Sequence, residues 1–151
     1  MDSSSLSLSP EQQLAFDKFK QKQNLFITGA GGTGKSELIK RIKQFANDKG
    51  IKLQVCAMTG CASVLLGTGS KTIHSWAGIS TGNQTVDFYM TKILNYRHCL
   101  QNWTTTQVLI IDEVSMMSLK MFEMLDELAR RIRSIPTKYV DKSSNYLLPF
   151  G

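Results

Sequence analysis

Lys35 and Ser36 end an octet, Gly29-Ala30-Gly31-Gly32-Thr33-Gly34-Lys35-Ser36, that fits the pattern G-x-x-x-x-G-K-[ST]. Its four glycines remove Cβ atoms where backbone N–H groups must close around phosphate oxygens. Lys35 then offers a cation to the β and γ phosphates of a nucleotide, and the Ser36 hydroxyl is a ligand for Mg²⁺. Far downstream, Asp112-Glu113 closes an apolar run, Gln107-Val108-Leu109-Ile110-Ile111. A hydrophobic strand that ends in an acid holds a carboxylate beside the metal while limiting water. Asp112 suits the metal, directly or through water, and Glu113, pointing elsewhere, suits polarising an attacking water. Each group has a bland reading, a flexible glycine turn or an acidic strand end. Together they make a mechanistic pair.

The surrounding sequence supplies the elements that must position these groups. Asn24-Leu25-Phe26-Ile27-Thr28 predicts a strand ahead of the glycines, and Leu38, Ile39, Ile42, Phe45 and Ala46 behind them share one face of a 3.6-residue period. A strand, a tight turn and a helix N-terminus aimed at an anion are what phosphate binding needs. Ser9-Pro10-Glu11-Gln12 predicts a helix start: Ser9 caps, Pro10 suits the first position and Gln12 closes a capping box. Leu14, Ala15, Phe16 and Phe19 would be its buried side. Residues 52–58 predict a second strand, 61–66 a short helix, 87–101 a helix with an untidy period, and 107–112 the clearest strand. Residues 119–132 predict an amphipathic helix with Met121, Phe122, Leu125, Leu128, Ala129 and Ile132 as its stripe. This alternation argues for an α/β fold with a parallel sheet and helices on both faces.

Composition bounds the partners. The chain has 151 residues, 42% apolar and 20% charged, enough for one domain with a real core. No apolar run approaches the ~20 residues that cross a bilayer, so no membrane role is expected. The first eight residues carry Asp2 and no apolar stretch, and read as a disordered lead-in rather than a secretion signal. A net charge of +6, with nine of the 18 cations between Lys18 and Lys52 and a second group from Arg130 to Lys142, suits a polyanion as well as an ordinary solvated surface. Cys56, Cys61 and Cys99 have no paired spacing, which fits a reduced intracellular setting better than disulfides or zinc.

Five strings occur in one order: Leu8-Ser9-Pro10-Glu11-Gln12, Gly29 to Ser36, Thr59-Gly60-Cys61-Ala62, Thr72-Ile73-His74-Ser75-Trp76-Ala77-Gly78-Ile79 and Asp112-Glu113-Val114-Ser115-Met116. They resemble the Q motif and motifs I, Ia, Ib and II of the petite-integration-frequency (PIF) DNA helicases, of the 5′-to-3′ branch of superfamily one. The resemblance covers residues 8 to 134. It implies a P-loop NTPase fold of RecA-like type, ATP and Mg²⁺ as cofactors, and single-stranded DNA as partner. It also implies work in DNA repair, recombination and telomere maintenance, with the nucleus as first expected location and a mitochondrion or a viral replication site as alternatives. By the same resemblance Gln12 would contact the adenine edge, with the capping box as its competing role. Thr59, Gly60 and the segment Thr72 to Ser75, including His74, would face DNA, since hydroxyls, amides and an imidazole bond phosphates without reading bases. Trp76 has two readings, base stacking or core, of which core is preferred.

The resemblance stops early. The sequence ends at Leu147-Leu148-Pro149-Phe150-Gly151, and in the family a similar Pro-Phe-Gly precedes the strand leading to motif III. The expected organisation is therefore a lead-in over 1–8 and, over 9–151, the N-terminal part of a first RecA-like motor domain. By the same resemblance, the second motor domain, which in the family carries the arginine finger, is expected to be missing from these residues. The family's intervening strand would lie between the 24–28 and 107–112 strands, leaving Leu25-Phe26-Ile27 and Leu109-Ile110-Ile111 to face an open slot. Tyr146-Leu147-Leu148 is a minor candidate to fill it. A helicase motor is the leading expectation. A non-catalytic nucleotide- or DNA-binding module and a small P-loop phosphotransferase are the rivals.

Overall fold

The computed structural model describes residues 7–28, 34–67 and 69–135. Lead-in residues 1–6, the first five residues of the octet (29–33), and 136–151 with Tyr146-Leu147-Leu148 lie outside the described residues.

Three strands, β1 (Leu53–Ala57), β2 (Lys71–Thr72) and β3 (Val108–Asp112), form a parallel sheet in the order β2-β1-β3. The β1–β3 register runs from Leu53 opposite Val108 to Ala57 opposite Asp112. Successive β3 residues serve opposite faces, as strand geometry requires. Val108 and Ile110 pack with Phe19, Leu38 and Ile42, under α1 (Pro10–Lys20) and α2 (Lys35–Lys49). Leu109 and Ile111 pack with Ile73, Trp76, Trp103, Leu125 and Leu128. That second core is roofed by α4 (Ile73–Ala77), α5 (Val86–Asn95), α6 (Arg97–Thr105) and α7 (Leu119–Arg133), while the short α3 (Gly60–Leu65) follows β1. The expected parallel sheet with helices on both faces is present. No helix among the described residues is long and apolar enough to cross a membrane.

Several expectations need correction. Residues 24–28 form no strand. A strand exists only through backbone partners, and Leu25, Phe26 and Ile27 instead line a hollow whose opposite wall is Leu109, Ile110, Ile111 and Asp112. Among the described residues a hollow lies where the slot was expected, and Phe26 and Ile27 are left 64% and 40% exposed. Leu14 is exposed, because α1 buries only the side bearing Phe19, with Ala15 and Phe16 partly covered. The single helix expected over 87–101 is two, broken at Tyr96, whose φ of −111° and ψ of 100° are extended. The break folds α6 back beside α5, which explains the untidy period. In α7 the stripe includes buried Met124, with Met121 and Phe122 at its margin.

Candidate nucleotide and DNA site

Gly34 begins α2 with φ +87°, a left-handed conformation that favours glycine. Lys35 and Ser36 follow as the first helical residues, with Ser36 exposed. Gly34 offers no side-chain cap to the N–H groups of this helix start, the kind of group that binds an anion. Lys35 and Asp112 line the same hollow of about 110 Å³. Thus the structure brings together the two charged groups that the sequence separates by half its length. Gly29, Ala30, Gly31, Gly32 and Thr33, expected to cradle the phosphates, lie outside the described residues.

Asp112 is the last residue of β3 and stands opposite Ala57. Glu113 is exposed and left-handed, with φ 57° and ψ 42°, a conformation that costs a non-glycine residue ~1 kcal/mol. It turns the chain into a 3₁₀ turn over Val114–Met116, where Met116 N–H donates to the Glu113 carbonyl at 3.0 Å. Asp112 thus belongs to the strand, whereas Glu113 belongs to the turn that follows it. This division fits one metal ligand and one group for water.

The proposed DNA residues cluster at the same edge of the sheet. Thr59 caps α3 and Thr72 caps α4; their hydroxyl oxygens accept from Ala62 N–H and Ser75 N–H, both at 3.2 Å. Each hydroxyl still has its own proton to donate to a phosphate oxygen. Gly60 and Ser75 are exposed and His74 is half-buried. The register then adds a fact that no motif states. Thr72 pairs with Ala57, and Ala57 pairs with Asp112. One transverse row therefore joins the candidate DNA threonine to the candidate metal carboxylate, two strand spacings or about 10 Å apart.

Residues missed by sequence reasoning hold α4 in place. Trp103 donates its indole N–H to the Ala77 carbonyl at 2.9 Å, and Asn102 donates to the Trp76 carbonyl at 3.0 Å. Trp76 is 1% exposed with its ring centroid 4.8 Å from that of Trp103, so it is core and does not face a base. Arg133 donates to the carbonyls of Trp103 and Thr106 at 3.0 and 3.3 Å, and burial lowers its guanidinium pKa. Arg131 bonds Asp87 and Glu127, which raise its pKa, and Arg130 pairs with Asp126. Arg131 and Arg133 thus tie α7 to α5 and α6, while Arg130 pairs within α7, unlike the mobile lid of a phosphotransferase.

Gln12 performs the expected capping box: Ser9 N–H donates to its Oε1 at 2.8 Å, and its own N–H donates to Ser9 Oγ at 3.2 Å. Its Nε2 also donates to the Gly34 carbonyl at 2.9 Å. Local spacing announced the cap but not the bond to a residue 22 positions away.

Residues 7–146 match the family model described as PIF1-like helicase. The chain belongs to the PIF1-like helicase family. Among curated relatives it is similar to the ATP-dependent DNA helicase RRM3 of Saccharomyces cerevisiae, 39% identical over 134 residues, covering 87% of this chain and 18% of that protein. It is also similar to the ATP-dependent DNA helicase PIF5 of Trypanosoma brucei brucei, 40% identical over 128 residues, covering 84% and 14%. This PIF1-like chain thus spans under a fifth of the length of either relative. Its fold resembles the crystal structure of Pif1 helicase from Candida albicans, with a TM-score of 0.77 and 35% identity, over 85% of this chain and 29% of that one. It also resembles Bacteroides sp Pif1 in complex with ADP-AlF4, with a TM-score of 0.66 and 26% identity, over 84% and 28%.

Proposed function

We propose that this PIF1-like chain is the ATP-binding, DNA-contacting beginning of a first RecA-like motor domain. In a whole 5′-to-3′ DNA helicase that domain would couple ATP hydrolysis to movement along single-stranded DNA. The observation that carries the reading is the row Thr72–Ala57–Asp112, with Lys35 and Asp112 on one hollow. It supports a triphosphate site and a set of phosphate contacts at the same end of one sheet. The names of the relatives RRM3 and PIF5 support ATP as the nucleotide and DNA as the substrate.

Ser36 and Asp112 offer hard oxygen donors of the kind Mg²⁺ prefers. When bound, the ion supplies positive charge at the β and γ phosphates. Lys35 adds a second cation there, and Glu113 orients the attacking water and takes its proton. Gly29 to Thr33 would close backbone N–H groups on the phosphates. Full turnover needs an arginine from a second motor domain, since such fingers contribute ~10³- to 10⁵-fold in rate. We place the whole protein inside the cell, in the nucleus first, at work in DNA repair, recombination or telomere maintenance.

Lys35→Ala tests the site. The parent chain should bind Mg-ATP and the variant should not, read by calorimetry; unchanged affinity would refute the assignment of Lys35.

A further inference from the structure

The Gln12 side chain joins the first helix to Gly34, the last residue before α2. Its Oε1 accepts from Ser9 N–H at 2.8 Å and its Nε2 donates to the Gly34 carbonyl at 2.9 Å. Both ends of one amide are therefore engaged, each on a different element. Gly34 receives this bond at the left-handed position where the chain becomes α2, immediately before Lys35. The fit is close: a Cβ built on Gly34 would collide with Gln12 Nε2. The Gly34 carbonyl also accepts the first α2 bond, from Leu38 N–H at 3.1 Å, so fixing this carbonyl fixes the axis on which Lys35 sits.

We propose that Gln12 is a positioning residue for the triphosphate, acting through Gly34 irrespective of the base. The proposal rests on the reading above that Lys35 and its loop bind a triphosphate. It differs from an adenine contact in a measurable way. A base contact is worth nothing to a ligand without a base, whereas a braced loop favours any triphosphate.

The capping box and the brace are separable by substitution. Gln12→Glu keeps the acceptor that a capping box uses but sets a carboxylate oxygen against the Gly34 carbonyl. Ser9→Ala removes the capping hydroxyl and leaves the Gln12–Gly34 bond. The measurement is affinity for magnesium ATP and for inorganic triphosphate, with the unliganded melting temperature of each variant. We expect Gln12→Glu to weaken inorganic triphosphate and ATP alike, by about three- to tenfold as for one hydrogen bond, with melting close to the parent. Ser9→Ala should melt earlier and bind inorganic triphosphate like the parent. Inorganic triphosphate binding unchanged in Gln12→Glu overturns the proposal, whether or not ATP weakens. Equal weakening by Ser9→Ala overturns it too, since helix anchoring alone would then suffice. Should Gln12→Glu melt early, Gln12→Ala replaces it, with Ser9→Ala as the reference for lost capping; triphosphate affinity no worse than that reference overturns the proposal. A parent that binds neither compound defeats the site itself, whereas a binding parent with an unaffected variant defeats only the brace.

Discussion

Cys56 has no exposed surface, and burial pushes its thiol up to about 12, with Lys71 pulling weakly the other way. A raised thiol pKa means that the neutral form is favoured in the fold. The unfolded thiol ionises near 9.0, so the contribution to stability is complete below that pH and declines as pH climbs from 9 toward 12. Iodoacetamide at pH 8 should therefore modify exposed Cys61 in the native chain and reach Cys56 only after denaturation, as peptide mass mapping would read; prompt native labelling of Cys56 would contradict its burial. Gly78 makes a second residue-scale case. Its φ is +74° and an added Cβ would lie 2.8 Å from Cys99 Sγ, so Gly78→Ala should cost at least ~1 kcal/mol in urea unfolding. At this scale the charged groups were legible in the sequence. Lys35 and Asp112 each stand in a motif only a few residues long, and they line one hollow. The Gln12–Gly34 bond was not, because an amide that satisfies its local cap gives no sign of a distant acceptor.

Elements were legible where their signals are local. Ser9, Pro10 and Gln12 announce α1 because capping is settled within four residues. The strand expected at 24–28 failed because pairing is settled elsewhere, by what lies across from Leu25, Phe26 and Ile27. The break at Tyr96 went unseen for a similar reason: α5 and α6 separate so that Trp103 can reach Ala77. Trp103→Phe tests that cause. It leaves a buried carbonyl without its donor and should lower stability by ~1–3 kcal/mol. Because α4 presents His74 and Ser75, affinity for single-stranded DNA should fall as well; a variant with parent stability would show the bond to be dispensable.

On the scale of the molecule, β3 keeps one edge unpaired among the described residues, with Phe26 and Ile27 exposed beside it. Open apolar edges invite a second chain. The protein should self-associate with rising concentration in sedimentation velocity, and Phe26→Lys should reduce this; equal association in both would place the contact elsewhere. The row Thr72–Ala57–Asp112 has a mechanical meaning too. Parallel strands in register behave as a stiff ruler, so the gap between Asp112 and Thr72, the cap of α4, is held constant by backbone hydrogen bonds. On the proposed reading, a sheet ruled in this way would keep its span along a DNA strand fixed, and a stroke would have to come from something that moves against the ruler's edge.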